Sequence, residues 1–174
     1  MKTNLTLIGM PGSGKSTVGI ILAKNLGIGF IDTDILIQIN EQQTLQQIID
    51  TTDHLNLRAI EEREILKLNV THLVIATGGS AAYSEKAMAH LAQISTIIFL
   101  HVSFSELNRR IKNFATRGIA KREDQSFEEL FDERQVLYNR YADIVVPCEG
   151  LNQDQVADEI IARLYPNGCC LLNQ

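Results

Sequence analysis

Five short apolar runs alternate with helical patterns along this chain, which predicts an α/β domain built on a mostly parallel sheet. Two further observations point the same way. The first run, residues 5–8, leads straight into Gly9-Met10-Pro11-Gly12-Ser13-Gly14-Lys15-Ser16-Thr17, a strand-to-helix turn of the form G-x-x-x-x-G-K-[ST]. No repeat, low-complexity segment or Pro/Gly-rich linker interrupts the 174 residues, so a single domain spanning 1–174 is expected.

Taken in chain order, 5–8 reads as a short buried strand. Residues 15–26 read as an amphipathic helix, with Val18, Ile21, Leu22 and Leu26 on one face. A second strand at 29–31 runs into helices at 33–40, 45–49 and 55–67. A third at 72–76 ends in glycines before a helix at 85–91. A fourth at 96–101 precedes a helix at 105–113, for which Ser105 before Glu106 is the capping signal. Ser126, with Glu129 three residues on, forms a capping box that opens a helix over 126–141. A fifth strand at 143–146 and a helix at 153–164 complete the pattern. The tail at 165–174, with Pro166 and Gly168, is expected to be irregular. Residues 113–125 fit neither period. With Arg117, Lys121 and Arg122 around Gly118, they suit a mobile lid closing over phosphates, or equally a solvated surface loop.

Composition narrows the function classes. Apolar residues make up 45% of the chain, which is enough for a core. The net charge of −5, with no basic cluster longer than a pair, argues against nucleic acid as the main partner. No apolar run reaches membrane-spanning length, and the first residues run directly into a strand, so a cytoplasmic protein with no membrane partner is expected. Cys148, Cys169 and Cys170 are odd in number and two are adjacent, which is no disulfide framework. The four histidines are scattered without ligand spacing.

The glycine-rich turn carries the chemistry. Its glycines let successive N–H groups point at one phosphate, and the helix N-terminus adds partial positive charge. Gly12, Ser13, Gly14, Lys15, Ser16 and Thr17 are the candidate nucleotide contacts. Lys15 brings a full charge to the outer phosphates, and the Ser16 hydroxyl is a hard ligand for Mg²⁺. Asp32-Thr33-Asp34 follows the second strand, where open sheets bind ligands. One carboxylate suits the metal's hydration shell and the other the attacking hydroxyl, although Asp and Thr also favour a helix N-cap. Arg58 with Glu61 and Glu62 reads as a surface ion pair or as an arginine fork for an anion. Gly78-Gly79-Ser80 ends the third strand and permits close backbone approach to a ligand, or is an ordinary turn.

This set, in this order, resembles the shikimate kinase family from residue 4 to about 164. The resemblance is carried by the phosphate loop, Asp32-Thr33-Asp34, Arg58 with Glu61, Gly78-Gly79, Arg109-Arg110, Arg117, and Glu133-Arg134 followed by Leu137-Tyr138 and Ala142-Asp143. It implies the P-loop kinase fold, a five-stranded parallel sheet flanked by helices, with a substrate-binding helical region and a mobile lid. It implies transfer of the γ-phosphate of ATP to the 3-hydroxyl of shikimate by a monomer, with Mg²⁺ as cofactor. By this resemblance Lys15, Asp34 and Arg117 are catalytic, Asp34 being the base. Arg58 and Arg134 clamp the acceptor carboxylate, Glu61 steadies Arg58, and Gly79 offers backbone N–H. Arg110 stacks on adenine opposite Asn152 and Gln153. Ser16 and Asp32 serve the metal.

The chain departs from the family pattern at five places, seven residues in all. Ser80 replaces a third glycine, and Gly118-Ile119 replaces Pro-Leu after Arg117. Gln38 replaces a glutamate, Asp53-His54 a Gly-Glu, and Gln153 a proline. Glycine at 118 widens backbone freedom, so a looser open lid is expected, one that proline would tighten provided the native φ there is near the proline value. Two other readings compete with the leading one. One is a same-fold kinase for another hydroxylated carboxylate, sugar acid or nucleoside monophosphate. The other is a nucleotide-binding module without catalysis.

Overall fold

The apolar runs become five strands in a computed structural model that describes residues 2–111 and 118–166. They are β1 (Asn4–Ile8), β2 (Gly29–Asp32), β3 (Leu73–Ala76), β4 (Ser95–His101) and β5 (Ile144–Pro147). All pair in parallel, in the order β2-β3-β1-β4-β5. Between them lie α1 (Lys15–Leu26), α2 (Thr33–Glu41), α3 (Leu45–Thr51), α4 (His54–Leu66), α5 (Glu85–Ile94), α6 (Phe104–Arg110), α7 (Phe127–Tyr141) and α8 (Gln153–Leu164). The expected class, P-loop kinase α/β with a five-stranded parallel sheet, is the observed one.

A parallel sheet needs cover on both faces, and its central strands are buried throughout. Leu5, Leu7 and Ile8 of β1, Val74 to Ala76 of β3 and Ile97 to Leu100 of β4 all lie in the main core or at its edge. Asn4 joins three chain segments at the foot of the sheet. Its amide donates to the Val70 carbonyl at 2.7 Å and the Ile94 carbonyl at 3.0 Å, and its Oδ1 accepts from the Leu73 N–H at 3.0 Å. A second, smaller core gathers Ile37, Ile48, Leu57, Ile60 and Ala120 beneath α2, α3 and α4. That cluster holds the helical region against the sheet's upper edge.

The topology fixes where ligands belong. The chain leaves β1 toward β2 on one side, and leaves β3 toward β4 on the other. These neighbouring strands therefore diverge at a switch point, and a crevice opens beyond their carboxyl ends. The phosphate loop follows β1, and Gly78-Gly79 follows β3, so both border this crevice.

Two local expectations are corrected. The helix expected at 105–113 begins at Phe104 with Ser103 at the N-cap, so Ser105 lies inside it. Phe104 packs on the rings of Phe127 and Phe131, each at 5.6 Å, and this draws the first turn one residue earlier. A single 3₁₀ turn, Ala81–Tyr83, forms where no regular structure is expected. The capping box at Ser126 and Glu129 is present, and Thr44 with Gln47 and Asn152 with Gln155 form two more.

Asn4→Ala should destabilise the fold by about 1–3 kcal/mol, because Leu73 N–H and two carbonyls lose a buried partner together. Urea denaturation measures it. A loss below about half a kcal/mol would show that water replaces the amide there.

Candidate active site

The loop Gly9 to Gly14 curls because glycine tolerates left-handed backbone. Gly12 and Gly14 have φ of 82° and 96°, and Gly14 is the N-cap of α1. The Lys15 ammonium crosses the loop and donates to the Gly9 carbonyl at 2.8 Å and the Met10 carbonyl at 2.9 Å. An ammonium has three protons, so one remains for a ligand. Burial lowers the Lys15 pKa to about 8, opposed by the charges of Asp34 and Asp32. Ser13 Oγ is buried without a hydrogen-bond partner, an orphan that a phosphate oxygen or ribose hydroxyl would satisfy.

Asp32 takes the capping role that the sequence leaves open, and its second oxygen faces the phosphate loop. It is the N-cap of α2, and its Oδ1 accepts from the Asp34 N–H at 2.9 Å. Its Oδ2 accepts from the Ser16 hydroxyl at 2.6 Å. Hydroxyl and carboxylate thus form a hard-oxygen pair beside the phosphate loop, the donor set that Mg²⁺ prefers.

Asp34 projects from the first turn of α2 into a cavity that Lys15, Glu61, Gly78, Gly79, Ser80, Gly118 and Arg134 also line. Burial first, and the Asp32 charge second, push the Asp34 carboxyl up to about 6. Burial and the charge of Asp34 raise Glu61 as well. Arg134 is buried on α7, and one of its N–H groups donates to the Ala120 carbonyl at 2.6 Å. Its Nε has no hydrogen-bond partner. The glycines admit this crowding. A Cβ on Gly78 would lie 2.6 Å from Asp34 Oδ1 and overlap Glu61 Oε1, and one on Gly79 would lie 2.8 Å from an Arg134 nitrogen.

Arg58 behaves differently from the expectation. Glu61 does not hold it. Glu61 Oε2 accepts from the Ser80 hydroxyl, and its Oε1 has no partner. Arg58 instead stacks on Tyr83, with Cζ 3.5 Å from the ring centroid, and it borders an adjoining hollow that meets the main cavity at Ser80. Arg134 Cζ lies 5.5 Å from the same ring. The structure therefore brings both arginines to Tyr83.

On the far side of the loop, a narrow cleft is lined by Ser13, Gly14, Arg110, Cys148 and Gln153. Arg110 and Gln153 face this cleft as expected for a base-binding slot, with Arg110 Nε donating to Glu106 Oε1 at 2.7 Å. The Asn152 side chain is committed to capping α8, so Gln153 is the polar group that the segment presents.

Arg117, residues 113–116 of the expected lid, Cys169 and Cys170 lie outside the described residues. The rest of that basic loop is docked rather than free to meet phosphates. Lys121 donates to the carbonyls of Arg122, Glu123 and Gln125, and Arg122 lies 3.7 Å from Glu133. Sequence reasoning also missed three positioning contacts. The Gly78 N–H donates to Thr33 Oγ at 3.1 Å, the Tyr138 hydroxyl donates to the Gly79 carbonyl at 2.6 Å, and Ser80 holds Glu61. Each of these residues lay in a motif singled out in the sequence, but the pairing between distant motifs had no signal.

A family model described as shikimate kinase matches residues 11–165. A shikimate kinase of Persephonella marina is 33% identical over 162 residues, covering 92% of this chain and 98% of that protein. One of Rippkaea orientalis is 37% identical over 164 residues, covering 92% and 85%. The chain belongs to the shikimate kinase family. Among solved structures, the shikimate kinase of Acinetobacter baumannii in complex with shikimate matches with a TM-score of 0.88 at 26% identity, covering 96% of this chain and 95% of that one. The shikimate kinase of Aquifex aeolicus gives 0.82 at 32% identity, covering 94% and 97%. The protein is thus a kinase of the P-loop fold.

Two departures from the family pattern now have physical accounts. Ser80 supplies a hydroxyl where the family has none, and Glu61 takes it. Gly118 has a φ of 63°, its N–H donates to Gln46 Oε1 at 2.9 Å, and a Cβ would lie 2.6 Å from that of Leu45. The condition on which proline would tighten the lid is therefore not met, since proline needs φ near −65° and has no N–H. Gly118→Pro should destabilise the protein by about 1–3 kcal/mol, from the wrong φ and the lost amide bond. Paired thermal melts and turnover assays check this. A higher melting temperature, or tighter acceptor binding, would contradict it.

Proposed function

We propose that the protein transfers the γ-phosphoryl group of ATP to the 3-hydroxyl of shikimate. The observation that carries this reading is convergence. Lys15, Asp34, Gly79 and Arg134 line one cavity at the strand switch point, directly beside the phosphate loop. A compact hydroxylated carboxylate fits there, with its hydroxyl toward Asp34 and its carboxylate toward Arg134 and Arg58. A nucleoside monophosphate lacks the carboxylate that two guanidinium forks read.

The chain's own residues supply most of the chemistry. Loop N–H groups from Gly12 to Thr17 and the Lys15 ammonium cradle the phosphates. Arg110 and Gln153 border the base. Ser16 and Asp32 would hold Mg²⁺, which when bound would supply positive charge to the phosphates. Asp34 orients the acceptor hydroxyl and accepts its proton, and its raised pKa places it near a neutral working range. Dispersed positive charge from Lys15 and Arg117 suits a loose phosphoryl transition state. No described helix is long and apolar enough to cross a membrane.

An ADP-release assay across shikimate, quinate, gluconate and nucleoside monophosphates tests the acceptor. Shikimate-dependent release should dominate and fall about 10²–10⁴-fold in Asp34→Asn. Release with a nucleoside monophosphate alone, or an unchanged Asp34→Asn, would defeat the reading.

The pH profile follows from two opposite shifts. Asp34 acts ionised, so kcat/KM should rise as pH passes about 6. Lys15 acts protonated, so it should fall as pH passes about 8. Bound phosphates hold the Lys15 proton, so kcat alone should extend further to alkaline pH. A kcat/KM that stays flat from about pH 5 to about pH 7 would remove Asp34 as the base.

A further inference from the structure

We propose that Tyr83 is a positioning residue. Its ring fixes the Arg58 and Arg134 guanidiniums where they receive the acceptor carboxylate. This rests on the carboxylate-clamp reading above and adds the element that makes the clamp work in this chain.

Two buried or half-buried guanidiniums repel, and long arginine side chains lose rotamer freedom when a ligand orders them. The face of an aromatic ring is negative and attracts both cations. Arg58 Cζ is 3.5 Å from the Tyr83 centroid and Arg134 Cζ is 5.5 Å from it. Arg58 Nε is buried without a hydrogen-bond partner, and Glu61, one turn along the same helix, is engaged by Ser80. The ring therefore does what the carboxylate does not. Its own position is fixed. Tyr83 ends the 3₁₀ turn that follows Gly79, and the next residue, Ser84, caps α5 and donates to Glu62 Oε2 at 2.6 Å, tying the turn to the helix that carries Arg58. The platform, the two arginines and the pocket glycines thus form one unit. Pre-set guanidiniums lose less entropy on binding, so the effect belongs in acceptor affinity rather than in the chemical step.

Steady-state kinetics with ATP and shikimate, on Tyr83→Phe, Tyr83→Leu, Arg58→Ala and the Arg58→Ala/Tyr83→Leu double variant, tests this. Tyr83→Met replaces Tyr83→Leu if the latter melts below the assay temperature. Leu should raise the acceptor KM about three- to thirty-fold while kcat and the ATP KM stay within about twofold. Phe, which keeps the ring, should stay within about twofold of wild type throughout. The double variant should raise the acceptor KM by less than the product of the single effects, because part of the Tyr83 effect runs through Arg58. An unchanged acceptor KM in Tyr83→Leu, beside a raised one in Arg58→Ala, overturns the proposal and leaves the clamp standing. So does a Phe variant as impaired as Leu, a multiplicative double variant, or equal losses for ATP and acceptor. An unchanged acceptor KM in Arg58→Ala overturns the clamp reading itself.

Discussion

Everything in the site depends on two residues that have no side chain. Gly78 and Gly79 follow β3, and four other segments touch them. Thr33 of α2 bonds the Gly78 N–H, and Tyr138 of α7 bonds the Gly79 carbonyl. Asp34, Glu61, Arg134 and Pro11 all approach closer than a Cβ would permit. The phosphate loop, the helical region and α7 can therefore meet only because the backbone there is bare. A methyl group at Gly78 would push two carboxylates away from the cavity in which their charges are needed. The requirement is one of space rather than of φ, since neither glycine has a positive φ.

Crowding three carboxylates, an ammonium and a guanidinium into one crevice sets the electrostatics. Burial alone penalises each charge, and the charges offset one another only in part. Asp34 and Glu61 are pushed up and Lys15 is pushed down, all toward neutrality. Perturbation in opposite senses is the arrangement expected of groups that exchange or hold protons near neutral pH. The Ser80 hydroxyl relieves Glu61 without adding charge, and among the described residues Arg134 and Lys15 are the cations that line the cavity.

Much of this was legible because it rests on local rules. Strand-loop-helix periodicity places α1 at Lys15–Leu26, and the glycines before it require a phosphate-loop curl. Asp32-Thr33-Asp34 was readable as cap or ligand site, and Asp32 is the cap while also accepting the Ser16 hydroxyl. What could not be read depends on the third dimension. The sign of φ at Gly118 follows from contact with Leu45 and Gln46, some seventy residues earlier. The partner of Arg58 follows from a 3₁₀ turn that no periodicity announces, in a segment distant from α4 in sequence. Helical spacing suggested Glu61 for Arg58, but a spacing of three residues only permits a pair. Burial on the Ser80 side decided otherwise.

Arg134 shows how the acceptor site and the loop above it share one group. Its side chain is buried, and one N–H is bound to Ala120, which sits in the small core with Ile37, Ile48, Leu57 and Ile60. Its remaining donors face the cavity and the Tyr83 ring. Any contact that reorients this guanidinium therefore acts on the Ala120 carbonyl too, and through it on the segment anchored by Gly118 at Gln46. Conversely, a change in the packing of α3 against that segment alters the donor geometry offered to an acceptor. A lysine in place of Arg134 would carry the same charge, but without the planar fork it could not serve Ala120 and a carboxylate in fixed directions at once. Positioning by a shared guanidinium, rather than net charge, thus links the cavity to the loop that follows Arg117.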